Sequence, residues 1–122
     1  MFMDNSSEKP IYVQLAEWMM DAILSGAFPE ETQVPSTTEI SVTYRINPAT
    51  ALKGINVLVD DDIIYKKRGL GMFVSSGAKE RILEKRKKEF FDSFISSLIA
   101  EAEKLAITKI EIIDMIERGY SE

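Results

Sequence analysis

The chain has 122 residues, 45% of them hydrophobic and 29% charged, with a net charge of −5, which bounds it to one small domain, or one with an appendage, of ordinary globular composition. It contains no Cys and no His, so disulfides, thiolate chemistry, imidazole general-base catalysis and the usual zinc sites are excluded at once. No stretch approaches the roughly 18 apolar residues of a membrane span, and the opening MFMDNSSEKP lacks the basic-then-apolar order of a signal peptide, so a cytoplasmic location with no membrane partner is expected.

The first helix lies between Pro10, suited to a first helical position, and Gly26, suited to the residue after the end. Ile11, Leu15, Trp18, Met19, Ala22 and Ile23 fall at helical spacing on one apolar stripe. Trp18 and Tyr12 are expected in the core of the helical unit. Residues 27–35 hold two prolines and no periodicity, and read as a loop.

A second, short helix over about 36–44 starts at Ser36, which with Glu39 has the spacing of a capping box. A third starts at Asn47-Pro48, a good N-cap followed by a good first residue. At about 100° per residue, Ala51, Leu52, Ile55, Leu58 and Val59 share one face. Ala49, Thr50, Lys53, Asn56 and Val57 share the other, so the outer surface at Pro48-Ala49-Thr50 is small and lets something large approach the helix N-terminus. Residues 63–66 and 72–75 are rich in β-formers and flank Arg68-Gly69-Leu70-Gly71. They read as a β-hairpin with a basic tip, Lys66-Lys67-Arg68.

From Gly77 the character changes. Residues 79–105 give one long helical pattern without Pro or Gly. Its charged first turns include Lys85-Arg86-Lys87-Lys88, read as a solvated face supported by pairs such as Glu84 with Lys88. Phe90, Phe91, Phe94, Ile95, Leu98, Ile99, Ala102 and Leu105 then form a broad apolar face. Thr108 and Glu111 make a second capping box, followed by Ile110, Ile112, Ile113, Met115 and Ile116 before Gly119. Two helices alone cannot bury so much apolar surface. Residues 78–122 are therefore expected to be a helical hairpin for dimerisation, with Phe90, Phe91, Phe94, Ile95, Leu98, Ile99, Ile113 and Ile116 at the interface.

The fold class expected is mainly α with a small β-hairpin. The order of three helices and a hairpin is that of a winged helix-turn-helix in residues 1–77, with Arg45-Ile46-Asn47 as the turn and the third helix entering a major groove. The methyl groups of Ala49 and Thr50 suit contact with a thymine methyl. Asn47, Thr50 and Lys53 can reach bases or phosphates, and the basic tip can lie along the backbone or enter the minor groove. Residues 1–77 carry six Lys/Arg against ten Asp/Glu, and 78–122 nine against ten. Any polyanion contact must therefore rest on few residues. Paired carboxylates suited to general acid–base work are lacking, so no enzyme is expected, nor any metal or cofactor.

The run Pro10-Ile11-Tyr12-Val13-Gln14, Val34-Pro35-Ser36, Ile46-Asn47-Pro48-Ala49-Thr50 and Ile64-Tyr65-Lys66-Lys67-Arg68-Gly69-Leu70-Gly71-Met72-Phe73-Val74 resembles the N-terminal domain of GntR-superfamily transcription regulators. Asn47-Pro48-Ala49-Thr50 and the short two-helix appendage resemble the YtrA-like subfamily. The resemblance implies a homodimeric regulator, usually a repressor, on a palindromic double-stranded DNA operator, often of its own operon together with an ABC-type transporter. The candidate DNA contacts are Ser36, Thr37, Thr38, Arg45, Asn47, Pro48, Ala49, Thr50, Lys53, Lys66, Lys67, Arg68 and Gly69. Two departures stand out: Thr38 where the family commonly has Arg, and Asp62 where it commonly has Gly before the first wing strand. Residues 78–122 do not resemble the larger effector domains of the superfamily, so a dedicated small-molecule pocket is not expected. The acidic balance and Thr38 motivate an alternative, a winged-helix interaction module without DNA binding.

Overall fold

The computed structural model describes residues 3–122. It divides into two compact units, Met1–Glu84 and Lys85–Glu122. The division falls inside the helix Ala78–Phe90, where the sequence leads to a boundary at 77/78, because Ala78 and Ile82 are fully buried with the core of the first unit.

The first unit runs α1 (Ile11–Ser25), β1 (Gln33–Val34), α2 (Thr37–Tyr44), α3 (Pro48–Asp60), β2 (Ile64–Lys67), β3 (Gly71–Val74) and the start of α4 (Ala78–Phe90). Pro10 is the N-cap of α1 rather than its first helical residue, and Gly26 closes the helix in the left-handed conformation. Both expected caps of the helix-turn-helix form. Ser36 Oγ accepts from the Glu39 amide at 3.0 Å while Glu39 returns the bond to the Ser36 amide at 3.2 Å. Asn47 Oδ1 accepts from the Ala49 amide at 2.8 Å, with Pro48 at the first helical position.

The sheet has three strands where the sequence predicts two. Its order is β1-β3-β2, all antiparallel. β1 is only two residues long, too short for any alternation of its own, and it exists because β3 offers it an edge: Gln33 lies opposite Phe73 and Val34 opposite Met72. In the hairpin, Ile64 pairs with Val74 and Lys67 with Gly71. Asp62, at the position where the resemblance leads to Gly, has φ 57°, the left-handed conformation that Asp tolerates better than most residues. Glu30 fastens the loop before β1 to the start of α4, accepting from the Gly77 amide at 2.7 Å. Backbone hydrogen bonds from Gly77 and Lys79 hold its carboxyl below the usual glutamate range.

The inner face of α3 differs from the expected one. Ala51, Gly54, Ile55 and Leu58 are buried, whereas Leu52 is 49% exposed. At about 100° per residue, Leu52 lies a quarter-turn from the centre of the stripe and Gly54 lies within it. Trp18 is half-buried, edge-on to Phe28 with centroids 5.7 Å apart and tilted on Tyr44 at 5.7 Å. It ties α1 to α2 through aromatic geometry of favourable kind. Tyr12, expected in the core, is instead at the surface edge of α1, half-exposed beneath Lys53.

The second unit contains the end of α4, a π turn at Phe91–Ile95, α5 (Ser96–Lys104) and α6 (Lys109–Ser121). The single unbroken helix expected over 79–105 is interrupted by that turn, where one register of hydrogen bonds widens. Lys88 pairs with Asp92 at 2.7 Å rather than with Glu84, and this bond raises the Lys88 pKa. The second capping box forms as expected, with the Glu111 amide 3.2 Å from Thr108 Oγ1. α6 continues through Gly119 to Ser121 instead of stopping before it.

Candidate nucleic-acid interface

The turn between α2 and α3 is fixed from within. Arg45 closes α2 with φ 53°, and its amide donates to the Ser41 carbonyl. The Ser41 hydroxyl donates to the Ile46 carbonyl at 2.7 Å. Ile46 is buried and anchors the turn to the core, while Arg45, Asn47, Pro48 and Ala49 are all exposed. A rigid turn with an outward Arg and a small-residue helix start is the arrangement by which a second helix approaches a groove while the first crosses a backbone.

The capping bond alters the role of Asn47. One lone pair of its Oδ1 is taken by the Ala49 amide, which fixes the side chain and leaves the two Nδ2 donors to face an acceptor outside the chain. Lys53 sits one turn further along α3, with its ammonium 4.2 Å from the Tyr12 ring centroid. Such stacking holds a long side chain in a limited set of positions and keeps its charge exposed. Arg45, Asn47, Thr50 and Lys53 line one open cleft of about 890 Å³, which Met3, Asn5, Pro10, Ile11 and Tyr12 also line. Sequence reasoning missed Tyr12 and Asn5 as members of this cleft. The signal available was Pro10-Ile11-Tyr12 itself, which lies in the run of residues carrying the resemblance but reads as core by periodicity.

Ser36 and Thr37 are half-buried and Thr38 is exposed at the start of α2; none of the three lines that cleft. Ser36→Ala is expected to cost about 1 kcal/mol by removing the cap, read as a lower urea midpoint at unchanged slope. An unchanged midpoint would show that the bond contributes nothing to α2.

The wing forms a separate cluster. Lys66, Lys67, Arg68 and Gly69 are all exposed. Lys67 lies over the Phe73 ring at 4.5 Å and near the Tyr65 ring at 5.8 Å. The Tyr65 hydroxyl donates to Glu31 at 2.9 Å. Gly69 has φ 77° and open space where a Cβ would project, so glycine is required there by the backbone conformation and not by crowding. Among the described residues no group of three or more acidic side chains is placed to hold a metal ion, and no helix is long and apolar enough to cross a membrane.

No family model matches the chain. A transcriptional regulator of the GntR family from Bacteroides thetaiotaomicron, of solved structure, is 35% identical and superposes with a TM-score of 0.79 over 92% of this chain and 97% of that one. The transcriptional repressor YtrA of Bacillus subtilis is 32% identical over 81 residues, 66% of this chain and 62% of that protein. The DNA-binding domain of AraR, solved in complex with operator ORX1, is 27% identical, with a TM-score of 0.55 over 62% of this chain and 93% of that one. The curated relatives differ in length: the chain spans 34% of one that it matches and 95% of another.

Proposed function

The chain belongs to the GntR family of transcription regulators, which are not enzymes, and from that premise we propose that it is a homodimeric, sequence-specific repressor acting on a palindromic operator of its own operon. The observation that carries the reading is the convergence of Arg45, Asn47, Thr50 and Lys53 at the exposed start of α3. The exposed Lys66-Lys67-Arg68-Gly69 wing supplies a second set of contacts. In this reading α3 lies in the major groove. Ala49 and Thr50 face base edges, Arg45 and Lys53 face phosphates or guanine edges, and the wing follows the adjacent backbone or minor groove. Thr38, in place of a commonly found Arg, leaves the start of α2 to act through its hydroxyls and amides.

Dimerisation through the second unit is supported by its unburied apolar side chains. Phe90, Phe91, Phe94, Leu98, Ile99, Ile113 and Ile116 are all exposed in the single chain, Phe94 at 66%, and Ile95 is half-buried. Between α5 and α6 runs an apolar groove of about 430 Å³ that includes Leu98, Ala102, Leu105 and Ile116. Contiguous apolar surface of this kind marks an association site in soluble proteins. A two-fold axis then places two copies of α3 on two half-sites.

The reading is tested by footprinting the wild-type chain on the DNA upstream of its gene, together with its sedimentation. Two symmetric protected half-sites and a dimer at micromolar concentration are expected. A stable folded monomer, or a single asymmetric half-site, would overturn the dimer. Phe94→Asp with Ile113→Asp is expected to yield folded monomers that retain α1–α3 but lose most operator affinity, because one half-site carries only part of the contact energy.

A further inference from the structure

An apolar side chain stands out from the tip of the basic hairpin. Leu70 is 64% exposed, and it is the one large aliphatic residue in the run Lys66-Lys67-Arg68-Gly69-Leu70-Gly71. Its backbone is held on both sides. The Leu70 amide donates to the Lys67 carbonyl at 3.0 Å, and its carbonyl accepts from Gln33 Nε2 at 2.9 Å. Gln33 comes from β1, across the sheet, so the tip is braced by a residue remote in sequence.

The two neighbours of Leu70 are glycines at φ 77° and 110°. Neither can be replaced cheaply. Gly69 is required by its conformation, and a Cβ at Gly71 would lie 2.6 Å from Gln33 Nε2, displacing the brace. The result is a thin backbone in which Leu70 is the one apolar side chain projecting beside the exposed Lys66, Lys67 and Arg68. With most of its surface still in water, that side chain contributes little to folding. A narrow tip suits the minor groove, which is about 6 Å wide. The flanking cations favour approach to that groove, where the negative potential is strongest, and a braced loop loses little entropy on binding.

We propose that Leu70 is an apolar wedge that enters the minor groove beside each half-site and partly unstacks a base step, so that the wing reads the deformability of the operator as well as its charge. Apolar wedges of Leu, Ile, Phe or Met open base steps and bend DNA in this way. Pyrimidine–purine steps are the easiest to open, so such a step is expected at the wing position of the preferred sequence. The inference rests on the operator reading above.

The probe is a duplex enriched from a randomised pool by the wild-type chain, labelled at its two ends so that energy transfer reports bending. Wild type is expected to bend it. Leu70→Ala is expected to bind about tenfold more weakly, with the bend largely lost and the slope of affinity against salt unchanged, because no phosphate contact is removed. Leu70→Met is expected to restore both affinity and bend. Leu70→Ala with wild-type affinity and bend would overturn the wedge, as would Leu70→Met behaving like Leu70→Ala. If the wild-type chain enriches no sequence and its binding ignores salt, the operator reading itself fails and the wedge with it. Lys67→Ala separates the two cases, since under the operator reading alone it still weakens binding and lowers the salt slope.

Discussion

Gly54→Val is expected to lower the stability of the N-terminal unit by about 3 kcal/mol or more, a large part of the 5–15 kcal/mol available to a small domain. Gly54 is buried where α3 crosses α1. A Cβ there would lie 2.9 Å from the Tyr12 carbonyl oxygen and 2.9 Å from Leu15 Cδ2. Leu15 is fully buried, and the Tyr12 carbonyl belongs to helix backbone, so neither neighbour can swing aside. The helices must part instead, which loosens Ile55 and Leu58 from the same face. Gly54→Ala isolates the competing effect, because alanine favours helix over glycine by about 1 kcal/mol. It is expected to be destabilising, but by much less than Val. Thermal unfolding followed by circular dichroism checks both. At about 4–8 °C per kcal/mol for a domain of this size, the Val variant should melt more than 10 °C lower by the same scaling. A melting point within two or three degrees of wild type, about the noise of such a comparison, would show that α1 and α3 are not locked at Gly54.

Lys53→Ala and Arg68→Ala are expected to weaken operator binding by about 1–3 kcal/mol each and to lower the salt slope by about one each. The reason is the thinness of the positive charge. Residues 1–77 have six Lys/Arg against ten Asp/Glu, so few other cations can take over a lost contact. The two residues sit on different elements, α3 and the β2–β3 turn, and independent sites add. The double variant should therefore bind roughly a hundredfold or more weakly. Both side chains are exposed, and Lys53 gives up only its stacking on Tyr12, worth about 0.5–1 kcal/mol at such a site, so the melting temperature should move by a few degrees at most, which separates a lost contact from a lost fold. Two variants with wild-type affinity would mean that α3 and the wing do not face DNA in the proposed way.

How far the sequence leads depends on whether the physics is local. Ser36 with Glu39, Asn47 with Pro48 and Thr108 with Glu111 are legible because a cap is a contract between residues two or three apart. β1 is not legible, because a two-residue strand is made by its partner β3 and leaves no pattern of its own. The exchange of Leu52 for Gly54 on the inner face of α3 follows from a quarter-turn of helix, finer than a list of apolar positions conveys. The π turn at Phe91–Ile95 has no marker in the residues it contains. At the candidate site the cations and the small residues are legible by type and order. Their grouping is not: Tyr12 supports Lys53 from another helix, Asn47 spends its oxygen on a cap, and Gln33 braces the wing across the sheet. Each of those pairings depends on tertiary structure.

In the proposed complex the surface at Pro48-Ala49-Thr50 meets base edges. The most direct test is binding of the wild-type chain to the DNA upstream of its gene against a scrambled duplex of equal composition, at two salt concentrations. Preferential retention of the upstream duplex is expected, with affinity that falls as salt rises. Equal affinity for the two duplexes, or no binding to either, would contradict it and leave a winged-helix module whose exposed helix start faces a protein.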